Sequence, residues 1–264
     1  MEVNTPSLQH LTIIKGISLL ARNYFSSKNQ DTILRFVFCG VEKARKITIA
    51  IEKLYHELDT DTEMEFPLGI LIRSMMMDSL MVIRIKNSVF SYSGTDRNEL
   101  VCMVNDLCYK FISDGTENFI TEIFNNGNLT EVDKEIRAKK FARLFPEAFD
   151  LSLAKPKLKR GYKVVIKDLY KESTHPSLIT KDQVYDLYSF YSKYDHLSHW
   201  TSLSKDIPIE NRISKINTGI VLMVFQLRDL LLLAYDFNSD SKEFLRPHIE
   251  RLENHLHEVY EVKS

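Results

Sequence analysis

Glycine and proline are scarce in this chain, whose 264 residues contain eight glycines and seven prolines. Short runs in which apolar and polar residues alternate, the pattern of a half-buried strand, are also few. Apolar residues instead recur at intervals of three and four over long windows, as on one face of an α-helix. These features disfavour a sheet-rich domain. They predict an all-α fold, an irregular bundle of about eight or nine helices with long central buried helices.

Cysteine is rare as well, and the spacing of Cys39, Cys102 and Cys108 indicates no disulfide framework. Free thiols are typical of proteins in a reducing compartment. The first residues, MEVNTPSLQHL, lack the basic and apolar regions of a secretory signal. We therefore expect a cytoplasmic protein.

A long uncharged apolar run is also missing. The most apolar window, 219–235 (GIVLMVFQLRDLLLLAY), contains Arg228 and Asp229 near its centre. Each charge would cost about 2.5–3.5 kcal/mol at the middle of a bilayer, and the window is shorter than the roughly 20 residues of a span. The window predicts a buried core helix, and we expect no membrane contact.

Neither sign of charge dominates, because 35 Lys and Arg stand against 36 Asp and Glu. The whole chain therefore lacks the basic excess typical of nucleic-acid-binding domains. One local patch, KPKLKRGYK, has the cations Lys155, Lys157, Lys159, Arg160 and Lys163. This composition occurs most often in solvated linkers, and it also fits a contact with the phosphates of RNA.

The same basic segment is the candidate boundary within the chain. We predict a single helical domain over 1–264; the alternative is two subregions, 1–150 and 164–264, joined by a linker at 151–163. Over 162–170 the periodicity does not separate a strand from a helix, and we favour a short helix.

The common catalytic signatures are missing: the chain contains no GxxxxGK[ST], GxGxxG, HExxH or GxSxG. His196 and His199, one helical turn apart with Asp195 beside them, could supply half of a metal site. Zinc requires four ligands, and no matching pair occurs elsewhere in the sequence. We therefore predict no metal and no cofactor.

Charged residues within apolar helices are the more informative feature. The window GILIRSMMMDSLMVIRI is apolar almost all round, yet it contains Arg73, Asp78 and Arg84. An unpaired buried charge is costly, so these side chains must pair, reach the surface or line a polar pocket. Arg228 and Asp229 could meet Arg73 and Asp78 from another helix. An internal ion-pair network and a polar pocket both remain open.

A tyrosine-rich segment, VYDLYSFYSKYDHLSHWTSLSK, is the second such feature. One helical stripe contains Val184, Leu187, Tyr188, Tyr191, Tyr194 and Ser198. This stripe favours a core face whose hydroxyl groups reach the surface. The alternative is a cleft in which Asp195, Ser198 and His199 are added to the stripe.

Two motifs carry a resemblance to known proteins: Leu71-Ile72-Arg73-Ser74 with Asp78, and Tyr194-Asp195-His196-Leu197-Ser198. They resemble motifs in a large group of uncharacterised bacterial all-helical proteins that are grouped loosely with the HEPN-like families. The resemblance covers roughly 66–85 and 164–235. It implies a bacterial protein with a shared polar site in the bundle. It also implies membership of families that include RNases and binding modules of phage defence and toxin systems.

The HEPN nuclease signature itself, an arginine followed four to six residues later by a histidine, resembles the window Arg251-Leu252-Glu253-Asn254-His255-Leu256-His257. The resemblance implies that Arg251 and His257 act at a scissile phosphate. An RNase needs a base and a cation at that position.

Two functions follow from these features. The first is a non-enzymatic interaction or ligand-binding module in phage defence or stress response, which binds a protein partner or a second copy of itself. The alternative is a metal-independent RNase or toxin-like effector of HEPN type, whose basic loop guides RNA. The pocket of the first function would be lined by Arg73, Asp78, Tyr194, Asp195, Ser198, His199, Arg228 and Asp229.

Overall fold

The structure is a computed structural model, and it describes residues 5–28, 31–58, 60–193 and 207–261. The predicted all-α class is confirmed, with nine α-helices in these ranges. The helices are α1 (Thr5–Ser26), α2 (Thr32–Glu57), α3 (Glu65–Ser91), α4 (Arg97–Asn125), α5 (Glu131–Ala142), α6 (Ile166–Glu172), α7 (Lys181–Tyr191), α8 (Ile209–Phe237) and α9 (Lys242–Glu261). Two short antiparallel strands, β1 (Phe149–Asp150) and β2 (Lys157–Leu158), form a hairpin between α5 and α6.

The centre of the bundle is a parallel pair of helices, α3 and α8. Three contacts join them in order along both helices: an ion pair between Arg212 and Glu65, the approach of Gly219 to Ile72, and a hydrogen bond from Ser79 to Gln226. Successive contacts are seven residues apart on each helix, which is the spacing that keeps one face of a helix against a neighbour. The pair therefore packs in a coiled-coil-like register.

The other long helices pack around this pair. α2 runs antiparallel to α8, since Tyr55 bonds to Asn217 near one end and Gly40 approaches Leu230 near the other. α9 returns along α1, where the Phe244 ring stacks on Tyr24 at 4.1 Å between centroids. The main core formed in this way joins residues from both sides of the 151–163 segment.

A second, smaller core lies under the hairpin. It contains Ile120, Ala138, Ala142, Phe145, Ala148, Phe149 and Leu158. These residues come from the second half of α4, from α5, from the turn after α5 and from the hairpin. The helix interpretation of 162–170 is confirmed, because α6 begins at Ile166 after a 3-10 turn at Arg160–Tyr162.

The helices α4, α5 and α7 each begin directly after an Asp or Thr residue, and two of these residues cap the helix through their side chains. Thr130 caps α5, since its hydroxyl oxygen accepts from the Asp133 backbone N–H. Asp96 caps α4 in the same way through the Asn98 N–H. Thr180 precedes α7 without a side-chain cap.

Two helical stretches, Thr62–Ser91 and Ile209–Phe237, are long and apolar enough to cross a membrane by length and composition. In their most apolar windows, 50% of the first and 67% of the second is buried inside the protein. Asp229, at the middle of the second window, is 7% exposed and forms an ion pair with Lys86 on α3.

The α3–α8 approach predicts that Gly219→Ala is destabilising. A Cβ atom at residue 219 would lie 2.5 Å from Cγ2 of Ile72, a fully buried side chain with little room to move. We expect the free energy of unfolding in urea to fall by about 1–3 kcal/mol with an unchanged m-value.

Gly16 on α1 provides the matched control, since nothing lies within 4 Å of a Cβ atom built there. Gly16→Ala should raise the free energy of unfolding by about 0.5–1 kcal/mol through helix propensity. Equal effects of the two substitutions would contradict the close approach of α3 and α8.

Candidate functional site

The charges of α3 have separate partners in the structure. Asp78 accepts a salt bridge from Lys43 of α2 at 2.8 Å, and its side chain is 18% exposed. Burial raises the pKa of the Asp78 carboxyl, and the Lys43 ammonium opposes that shift. Arg84, on the same helix, bonds to Glu172 at 3.2 Å and to the Ser88 hydroxyl.

The Arg228–Asp229 pair lies at a different place. Asp229 contacts Lys86 and Arg228, each at 2.8 Å, and the Arg228 guanidinium lies over the Phe225 ring. The sequence hypothesis placed this pair beside Arg73 and Asp78. The contacts described instead assign one cation of α2 to Asp78 and one of α3 to Asp229, so the ion-pair interpretation accounts for both carboxylates.

Arg73 lies at the contact between α3 and α7, with its guanidinium 5.3 Å from the centre of the Tyr188 ring. The remaining residues of the predicted pocket, Tyr194, Asp195, Ser198 and His199, lie outside the described residues, as does His196. A pocket formed by these residues with Arg73 stays a prediction. Within the described ranges, no group of three or more His, Cys, Asp or Glu side chains could hold a metal ion.

Sequence reasoning missed the ion pair between Glu65 and Arg212, whose charged atoms are 2.9 Å apart. Both side chains are largely buried, because they close the parallel pair at its N-terminal ends. The residues are 147 positions apart, and neither is flanked by a motif. In the sequence, Glu65 follows other acidic residues, so no local pattern indicates that it pairs with Arg212.

A groove of about 430 Å³ lies between α1 and α9. Arg251, Asn254 and His255 line it on one side of α9, and Ile13 of α1 contributes an apolar wall. The His255 Nε2 atom is 2.6 Å from Nδ1 of His10, a fully buried imidazole on α1. Burial lowers the pKa of His255, with a smaller opposing effect from Glu258 and a further lowering from Arg251.

The resemblance pairs Arg251 with His257, whereas the groove is lined by Arg251 and His255. Arg251 and His255 are four residues apart and share a face of α9, whereas His257 is exposed and does not line the groove. The groove therefore brings Arg251 and His255 together, and catalysis by Arg251 and His257 stays a prediction.

The basic segment of the sequence belongs to a larger charged surface, which we call the basic lobe (residues 134–171). It contains twelve Lys and Arg against four Asp and Glu, whereas the rest of the chain contains 23 and 32. Lys134 and Lys139 pair with acidic neighbours on α5. In the described part of the chain, nine exposed cations of the lobe make no salt bridge: Arg137, Lys140, Arg143, Lys157, Lys159, Arg160, Lys163, Lys167 and Lys171.

The predicted basic contact residues are held on structured backbone. Lys157 lies in β2, and Arg160 lies in the 3-10 turn that follows. Lys159 donates to the Glu147 carbonyl, and the Lys155 ammonium lies over the Phe124 ring. Lys163 precedes Val164, whose N–H donates to Asp114 of α4. This segment is therefore ordered and differs from a freely moving linker.

Comparison of the chain with protein-family models, curated proteins and solved structures finds no match.

The Lys43–Asp78 contact predicts that Lys43→Met destabilises the fold. Without the ammonium, the ionised Asp78 carboxylate has lost its cation, and we expect a loss of about 1–3 kcal/mol at pH 7 by chemical denaturation. Because the pKa of Asp78 is raised on folding, its ionisation lowers stability as the pH rises through the folded-state pKa. The loss caused by Lys43→Met should therefore become smaller as the pH falls and the carboxyl takes up a proton.

Lys46→Met is the control, since Lys46 pairs with Glu42 while its side chain is 66% exposed. It should change the free energy of unfolding by less than about 0.5 kcal/mol. A Lys43→Met effect that grows on acidification would contradict this assignment.

Proposed function

We propose that this protein is a non-enzymatic RNA-binding module and that its basic lobe holds the phosphates of the RNA. The observation that carries the proposal is the segregation of charge. A chain with a net charge of −1 places a large excess of cations on one lobe. Phosphate contacts supply most of the affinity of sequence-independent RNA binding, because bound cations release condensed counterions.

The lack of salt bridges at most of these cations supports the same proposal. Nine exposed Lys and Arg side chains of the lobe make no salt bridge within the described residues, so binding an RNA phosphate there would break none. An intramolecular salt bridge would otherwise have to be exchanged for each phosphate contact.

The support beneath the lobe is the second argument. The Lys159 N–H donates to the Ala148 carbonyl at 2.8 Å across the hairpin, next to the β1–β2 ladder. The second core packs under this hairpin through Phe149 and Leu158. Cations on an ordered hairpin lose less conformational entropy on binding than cations on a flexible linker.

The proposal predicts that Lys157→Glu combined with Arg160→Glu weakens RNA binding. Fluorescence anisotropy with a labelled RNA, between about 50 and 200 mM salt, should show a steep salt dependence for the unaltered protein. The double variant should bind at least ten-fold more weakly and lose about two units of the salt slope.

Lys28→Glu combined with Lys53→Glu reverses the same number of charges away from the lobe. This control should retain nearly full affinity. Equal losses in the two double variants would mean that only net charge matters, and absence of binding by the unaltered protein would refute the proposal.

A second function, a metal-independent RNase, is favoured by one observation: the groove between α1 and α9 places a cation, Arg251, beside an imidazole, His255. Such a pair is the minimum for phosphodiester cleavage, since the guanidinium stabilises charge on the phosphate while the imidazole transfers a proton. His10 contacts His255 from behind and would orient the ring.

The RNase function predicts that purified protein cleaves total RNA in the presence of a chelator and that His255→Ala abolishes cleavage. His257→Ala should retain it, because His257 lies outside the groove. Thermal melting of His255→Ala checks that loss of the His10 contact has not unfolded the protein. Intact RNA after incubation at several salt concentrations would leave the binding function alone.

A further inference from the structure

The basic lobe and the part of α4 that packs against α5 expose apolar side chains beside the cations of the lobe. Phe119 of α4 is 45% exposed and Leu144, after α5, is 55% exposed. The Phe119 ring contacts Phe141 of α5 edge to face, with 4.7 Å between the ring centroids. A ring this exposed is available to a ligand on the side that faces away from α5.

Arg137 and Leu144 flank the aromatic pair. They precede and follow Phe141 by four and three residues, the spacings that bring side chains to one edge of a helix. The Leu144 N–H donates to the Phe141 carbonyl at 3.1 Å, so the chain keeps a helical turn past the end of α5. One edge of the lobe therefore combines an exposed ring, an aliphatic side chain and an arginine without a salt bridge.

Duplex RNA would use only part of this edge, because its bases are stacked on each other and it presents mainly phosphates and ribose. An unpaired base can stack on an aromatic face while a neighbouring cation holds its phosphate, which is how sequence-tolerant single-strand sites bind. Without a ligand, the exposed Phe119 and Leu144 side chains are in contact with water, and a stacked base would remove this apolar surface from water.

We propose that the edge formed by Phe119, Arg137, Phe141 and Leu144 is a base-stacking platform, which makes the lobe selective for single-stranded RNA. This proposal rests on the proposed RNA-binding function and adds the form of RNA that is bound. The charge complementarity between the lobe and a phosphate chain is what assigns the occupant. Arg137 holds the phosphate next to the stacked base.

The test measures binding to a labelled oligouridylate of about 16 nucleotides, to an RNA duplex of the same length and to vesicles containing phosphatidylserine. Phe119→Ala should weaken oligouridylate binding about ten-fold, the equivalent of about 1.4 kcal/mol for one stacked base. Its duplex binding and its salt slope should stay unchanged, because no cation is removed. Phe119→Trp, which keeps an aromatic face, should restore the affinity.

Leu19→Ala is the control, because Leu19 is also 45% exposed but lies on α1, outside the lobe. It should leave oligouridylate binding unchanged.

Equal binding of single-stranded and duplex RNA by the unaltered protein, with no effect of Phe119→Ala, would overturn the platform while leaving RNA binding by the lobe intact. Loss of vesicle binding in Phe119→Ala, without loss of oligouridylate binding, would assign the edge to a lipid surface instead. Failure of the unaltered protein to bind either RNA would refute the proposed function itself.

Discussion

The close approach of α3 and α8 at Ile72 and Gly219 is the constraint on which the rest of the fold depends. The two helices run parallel, so the end of one lies far from the start of the other, and no short turn can join them. Residues 92–208 form this long connection, and the basic lobe lies within it. A glycine at the crossing allows the backbones to approach, and the seven-residue register above and below it aligns Glu65 with Arg212 and Ser79 with Gln226.

Two carboxylates inside the bundle, Asp78 and Asp229, are each paired with a cation nearby. Lys43 of α2 pairs with Asp78 of α3, and Lys86 of α3 pairs with Asp229 of α8, which also contacts its neighbour Arg228. A largely buried carboxylate without a cation would oppose folding, so a cation from another helix stabilises each of these two carboxylates. Among the described residues, these two buried carboxylates therefore stabilise helix packing, and the features that indicate a function lie on the surface.

Two surfaces carry those arguments, and they differ in chemistry. The basic lobe offers many cations without acidic partners on an ordered support, which suits a long polyanion. The groove between α1 and α9 is lined by one arginine, by a histidine that contacts buried His10, and by the carboxylates Glu250 and Glu258. Its Arg251–His255 pair suits one phosphate and a proton transfer. The α5 and hairpin part of the lobe packs over the small core, and the groove is lined by residues of α1 and α9. The two surfaces can therefore be altered independently of each other.

The sequence by itself determined the helical class and the approximate number of helices, because these depend on the spacing of apolar residues. It also located the cations of the hairpin. Only the tertiary structure decided which charges meet, since the partner of Asp229 is 143 residues away and composition sets no distance. The same holds for α9, where packing against His10 brings His255 to the groove and leaves His257 outside it. A periodic pattern defines the faces of a helix, but the neighbours of each face depend on how the helices pack together.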